Sequence, residues 1–262
     1  MAFDGDRFAQ TSAPVAWDDL DFDLFEEQPL DEQTLRTLRY MCDVEYHTSC
    51  YLRDMLVTPS HREEAAGGFM TVWNREEFWH GEALAAVLQR HGIVVDYDEI
   101  KAKRAKLGWS QALGPLKQSV MSSMAGTDFV AVHMTWGATN EMSAVAAYRR
   151  MAQMTDHPAL SPLLKRIAQQ ETRHVAFYST QGRERLETSE KARFVTRLAL
   201  SKAWKPVGSG IMADSEIIHV MGHLFRGVGE QLDELDRKVQ KLPGLLGLTP
   251  FRTAFGRMGI AI

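Results

Sequence analysis

The chain lacks most of what would send a protein out of the cytoplasm or into a membrane. Only two cysteines, Cys42 and Cys50, occur in 262 residues. They stand eight apart on what reads as one helix, where two turns hold their Cα atoms too far apart to bond. Free thiols in a reducing compartment are therefore expected. No apolar stretch reaches bilayer length. Asp4, Asp6 and Arg7 open the chain without an apolar run behind them, so no secretory signal is expected. Acidic and basic residues are interspersed at a net charge of -4, which argues against nucleic acid or an anionic membrane surface as partner. No segment alternates with period two, so no strand is expected. The expected location is cytoplasmic.

What is present is helical periodicity. Hydrophobic residues make up 45% of the chain, enough for a substantial core. Residues 1–28 are acidic and without sustained period, and read as an extended N-terminal arm. Residues 29–241 read as a single helical domain, and 242–262 as a Gly/Pro-containing apolar tail. Asp31 is placed to cap a first helix with Glu32 in its first turn, and Thr58-Pro59-Ser60 ends that helix near residue 57. A second helix spans about 62–91 and closes at Gly92. A long connection over 93–125 follows, with a short basic helix over 99–106. A third helix covers about 127–154. Ser161-Pro162 reads as the N-cap and first-turn pair of a fourth, over about 162–187. Two more helices are expected near 190–204 and 211–239. The fold class is thus all-α.

Polar residues interrupt the apolar stripes of the first four helices at particular places. The stripe Leu38, Met41, Glu45, Thr48, Leu52 carries Glu45, and Met70, Trp73, Glu77, His80, Leu84 carries Glu77 and His80. In the third helix Met134, Gly137, Glu141, Val145, Tyr148 carries Glu141; in the fourth Ile167, Glu171, His174, Tyr178 carries Glu171 and His174. Each of these groups falls on a buried face. Lone carboxylates there would be costly to desolvate and would tend to take up protons, whereas a bound cation removes the cost. The pattern also repeats. A lone Glu on one helix is followed by Glu-x-x-His on the next, twice, about 95 residues apart. Glu and His at i and i+3 share a helix face. Four carboxylates and two imidazoles suit two octahedral-leaning divalent ions in the core of a bundle.

Several other groups read as structural. Glu216-x-x-His219, with His223 one turn on, has no partner hairpin. His47, His61, His91, His133 and His157 read as satisfied or solvated histidines. Glu76, beside Glu77 but off the stripe, reads as a group that either steadies a ligand from behind or lies at the surface. Lys101, Lys103, Arg104, Lys106 and the pair Arg149-Arg150 read as solvated faces, with docking of an acidic carrier protein or electron donor as the alternative.

Glu76-Glu77-Phe78-Trp79-His80-Gly81 and Glu171-Thr172-Arg173-His174, preceded by Glu45 and Glu141, resemble the ligand motifs of the soluble acyl-carrier-protein desaturases. More broadly, they are similar to those of the ferritin-like di-iron carboxylate proteins. The likeness covers about residues 31–187. It implies a ferritin-like four-helix bundle with a long crossover between helix pairs and additional C-terminal helices. It also implies metal ligation by Glu45, Glu77, His80, Glu141, Glu171 and His174, the same residues being catalytic, with Glu77 and Glu171 bridging. The cofactor implied is two Fe ions, or Mn/Fe. The partners implied are a ferredoxin-type electron donor and a second copy of the chain in a homodimer. Three positions depart from the desaturase pattern: Trp79 stands where the family has Arg, Gln170 where it has Asp, and Ala144 where it has Thr.

The function this resemblance implies is O2-dependent oxidation of a C–H bond in a hydrophobic substrate, fatty acyl thioester desaturation first. Hydroxylation or N-oxygenation of another small molecule is the alternative, as is a ferroxidase or iron-binding protein. The substrate is expected beside the metals near Trp73, Gly137, Ala144 and Tyr148, where small residues at 137, 138 and 144 leave room.

Overall fold

The computed structural model describes residues 4–96, 98, 102 and 126–261 of the chain. These residues form ten α-helices, and no strand is found among them. Helices α1 (Gly5–Thr11) and α2 (Leu24–Glu27) lie in the acidic stretch that periodicity reads as extended. Both are too short to show a period. Asp4 caps α1 by accepting from the Arg7 amide at 2.9 Å, and each helix buries one phenylalanine, Phe8 and Phe25.

Four long helices form the core: α3 (Glu32–Met55), α4 (Glu64–Arg90), α5 (Phe129–Thr155) and α6 (Leu160–Thr188). Asp31 caps α3 as its sequence predicts, accepting from the Thr34 amide at 2.9 Å. A 3-10 turn over Pro59–Arg62 then reverses the chain into α4. The turn from α5 to α6 differs from the expected Ser161-Pro162 cap. Asp156 takes a left-handed conformation (φ 44°), and His157 Nδ1 accepts from the amides of Ala159 and Leu160. Ser161 lies inside the first turn instead and donates back to the Ala152 carbonyl at 2.9 Å. An imidazole therefore does the capping expected of the serine.

Helices α4 and α5 run parallel. At one end His133 near the start of α5 lies 2.8 Å from the Ser60 hydroxyl just ahead of α4. At the other, Phe25 stacks on His157 at 4.5 Å and meets His91, just past α4, at 5.5 Å. Residues 92 and 128 consequently stand at opposite ends of the core, about 40 Å apart by the rise of an α-helix. Except for residue 102, the basic helix expected over 99–106 lies outside the described residues.

Four shorter helices complete the described chain: α7 (Glu190–Lys202), α8 (Asp214–Phe225), α9 (Gly229–Gln240) and α10 (Pro250–Arg257). Helix α7 packs on α5 and α6, and α8 packs on α3. The single helix expected over 211–239 is two, because Gly227 adopts a left-handed φ of 75° and breaks the ladder. The apolar tail contains α10, whose first amides at Phe251 and Arg252 are held by the buried carboxylate of Asp236 at 2.9 and 3.2 Å. No described helix is long and apolar enough to cross a membrane. Cys42 and Cys50 are both free, as their spacing on α3 requires.

Candidate metal centre

The polar residues on the four apolar stripes meet in the interior. Glu45 from α3, Glu77 and His80 from α4, Glu141 from α5, and Glu171 and His174 from α6 are all buried. They fall into two groups. Glu45, Glu77, His80 and Glu171 each offer a donor atom within 4.8 Å of the others, and so do Glu77, Glu141, Glu171 and His174. Glu77 and Glu171 belong to both. Both imidazoles turn Nδ1 inward: His80 Nδ1 lies 3.2 Å from Glu171, and His174 Nδ1 lies 3.0 Å from Glu77 and from Glu171.

Burying four carboxylates together is costly. Like charges at this separation repel by about 3–4 kcal/mol per pair at an effective dielectric near 20. The protonation preferences of the side chains follow from that cost. Burial and the charges of Glu171, Glu45 and Glu141 push Glu77 well above the ordinary carboxylate range. Burial and Glu171 push Glu141 up to about 8. Burial opposes charge on His80, but Glu171 and Glu45 outweigh it and hold the imidazolium up to about 10. Glu171 is driven the other way: burial would raise it, but the hydrogen bond from His174 and the adjacent imidazole of His80 keep it ionised.

Protons only partly satisfy the cluster. His80 Nδ1, Glu77 Oε1 and Glu171 Oε1 are buried close to charged neighbours but make no well-aligned hydrogen bond. Two divalent cations would cancel four carboxylate charges and leave both imidazoles neutral, and the inward atoms are the oxygen and nitrogen donors such ions take. The residues present therefore fit a bound metal.

The outward faces of the ligand candidates are held too. His174 Nε2 lies 2.7 Å from Glu76 Oε2, and Arg173 pairs with the other Glu76 oxygen. His80 Nε2 lies 2.8 Å from Gln170 Oε1. The residue before each doubly grouped glutamate thus steadies the imidazole of the opposite helix. Glu76, off the stripe by period, is fully buried in this role. Trp73 Nε1 donates to Glu141 at 3.1 Å, and the Tyr148 hydroxyl donates to Glu45.

A cavity of about 300 Å³ reaches Glu45, Glu77 and Glu141 from outside. Trp73, Gly137 and Ala144 line it, as expected from sequence, but Tyr148 faces Glu45 rather than this space. The room beside Gly137 is taken by Tyr178, whose ring would lie 2.4 Å from a Cβ there. The outer wall comes from residues 203–211, including Lys205, Pro206 and Gly208, which carried no helical period to mark them.

The third motif copy is not part of the centre. Glu216 forms a two-point pair with Arg36, His219 Nδ1 faces the same guanidinium at 3.3 Å, and His223 Nδ1 lies 2.7 Å from the Thr37 hydroxyl. These bonds fasten α8 to α3. Of the other histidines, His47, His61 and His91 each direct Nδ1 to a backbone carbonyl in their own turn. Arg150 bonds the Leu224 carbonyl at 3.1 Å, so half of the Arg149-Arg150 pair is structural. Lys101, Lys103, Arg104 and Lys106 lie outside the described residues.

Fold and site together define an all-helical protein with a buried carboxylate–histidine cluster that can hold metal. Neither the protein-family models nor the curated proteins searched contain a match to this chain.

Proposed function

We propose that the chain is a ferritin-like di-iron protein that uses dioxygen to oxidise a C–H bond of a hydrophobic substrate. Desaturation of a fatty acyl thioester is the favoured reaction. The observation that carries this reading is that two four-residue donor groups share Glu77 and Glu171 beside a largely apolar cavity. The parallel course of α4 and α5, which sets the end of one and the start of the other at opposite ends of the core, supports the ferritin-like topology.

Glu45 and His80 would hold one iron and Glu141 and His174 the other, with Glu77 and Glu171 bridging. A ferrous pair, when bound, supplies the reducing equivalents for dioxygen chemistry. Gln170 and Glu76 aim the two imidazoles, while Trp73 and Tyr148 orient the non-bridging carboxylates. Trp73 and Tyr178 wall the cavity and exclude water. Forming a double bond removes two hydrogens from the substrate. Reduction of O2 to two waters then takes two further electrons and two protons, which a ferredoxin-type donor and solvent would supply. A homodimer and a cytoplasmic location belong to the same proposal.

The polar groups Asn140, Thr48 and Lys205 along the cavity favour, as a second reading, hydroxylation or N-oxygenation of a smaller polar-ended molecule. The test is oxygen uptake by the Fe(II)-loaded protein with and without a long-chain acyl thioester. Uptake accelerated by the thioester, with an alkene formed, is the expected result. Uptake indifferent to every hydrophobic substrate would make the protein a ferroxidase or iron-binding protein instead.

A further inference from the structure

The residues that aim the two imidazoles are themselves held by the N-terminal arm. Arg166, Gln170 and Arg173 lie one turn apart along α6, and each bonds a different point of residues 11–19. Arg166 makes a two-point pair with Asp19 at 2.6 and 2.7 Å and donates to the Ala16 carbonyl at 2.6 Å. Gln170 Nε2 donates to the Ala13 carbonyl at 3.0 Å. Arg173 donates to the Thr11 carbonyl and hydroxyl at 3.3 and 3.1 Å. Phe8 inserts below them, with its ring centroid 6.0 Å from that of His174 and the Arg173 guanidinium 5.2 Å above its face. Phe8 and Val15 are both buried.

The Gln170 amide gives this packing a chemical consequence. Its NH2 can only donate and its oxygen can only accept. With the NH2 committed to the Ala13 carbonyl, Oε1 must face His80 and accept from Nε2–H. That fixes the ring orientation in which His80 Nδ1 faces the carboxylates and is the nitrogen left to take a metal. Without the arm, the amide would be free to rotate away from His80.

We propose that residues 8–19 are positioning residues of the metal centre, so that docking of the arm and binding of metal are thermodynamically coupled. This rests on reading the cluster as a metal site and adds regulation to it: whatever lifts the arm loosens the metal. Coupling of this kind is reciprocal, so metal must also hold the arm down.

The test uses the full chain, Mn(II) as a redox-silent probe, and the remote latch Arg166–Asp19, which touches no ligand candidate. Hydrogen exchange of the amides of residues 8–19 is expected to slow when Mn(II) binds, while exchange in α10 stays unchanged. Arg166→Asp is expected to weaken Mn(II) binding by about threefold to tenfold. Adding Asp19→Arg to it should restore affinity, which a general loss of fold would not allow. Mn(II) bound equally by parent and Arg166→Asp, with arm exchange unaffected, would overturn the coupling and leave the metal reading intact. A parent chain that binds neither Mn(II) nor Fe(II) would overturn both.

Discussion

The sequence writes Glu-x-x-His three times, and the structure treats the third copy differently from the first two. In α4 and α6 the motif faces the interior, its inward atoms are crowded by carboxylates from neighbouring helices, and its outward nitrogens are tied to Gln170 and Glu76. In α8 the same spacing lies at the edge, where Arg36 neutralises Glu216 and Thr37 takes His223. The motif alone therefore specifies little. What distinguishes a candidate metal site from a helix-docking contact is whether the neighbouring helix brings another anion or a guanidinium.

The largest effect should come from the shared carboxylates. Glu171→Ala is expected to abolish binding of both ions, and Glu141→Ala to remove at least one, as read by elemental analysis after anaerobic Fe(II) loading. Glu216→Ala should leave the metal content unchanged. Metal lost from Glu216→Ala but kept in Glu141→Ala would reverse the comparison. Next comes Glu76→Gln, which weakens the hold on His174 Nε2 and leaves Arg173 facing a neutral amide. Metal affinity is expected to fall by about 10–100-fold, measured by chelator competition.

Gly137→Ala tests the packing beside the centre. A Cβ there meets the Tyr178 ring at 2.4 Å, so either the ring or the helix must move. The cost expected is about 1–3 kcal/mol, read from the denaturation midpoint.

The pH dependence of the metal-free protein tests the electrostatics. His80 is held charged up to about 10, so the stability its charge contributes is complete below its ordinary value of 6.5 and is lost as pH rises toward 10. Glu141 acts in the same direction. The unfolded chain ionises it near 4.5 and the folded chain near 8, so between those values folding takes up a proton and stability falls as pH rises. Metal-free Tm should thus decline from pH 6 to pH 9, and metal binding, which displaces these protons, should strengthen over the same range. A metal-free Tm that rises across that interval would contradict the assigned charges. The smallest effect belongs to the third motif: Arg36→Ala removes a solvent-screened pair and should move the denaturation midpoint least of these variants.

Much of this was legible in the sequence, for identifiable reasons. Four long helices with sustained apolar stripes announce themselves by period, and an acid on such a stripe marks itself as anomalous. That is why Glu45, Glu77, Glu141 and Glu171 could be named before their positions were known. Glu76 is less legible, because a residue off the stripe is buried here against His174 and Arg173 of α6, a pairing that period does not reveal. The arm shows only as an aperiodic acidic stretch, since much of its hold on α6 uses the carbonyls of Thr11, Ala13 and Ala16, which have no sequence signature. Gly227 broke an expected helix, and α10 escaped notice because its cap, Asp236, comes from another helix.

The most direct measurement is anomalous X-ray scattering from crystals of the Fe(II)-loaded protein at the iron edge. The account predicts two peaks about 3.5–4 Å apart between Glu77 and Glu171. A single peak, none, or a peak beside Glu216 and His219 would contradict it.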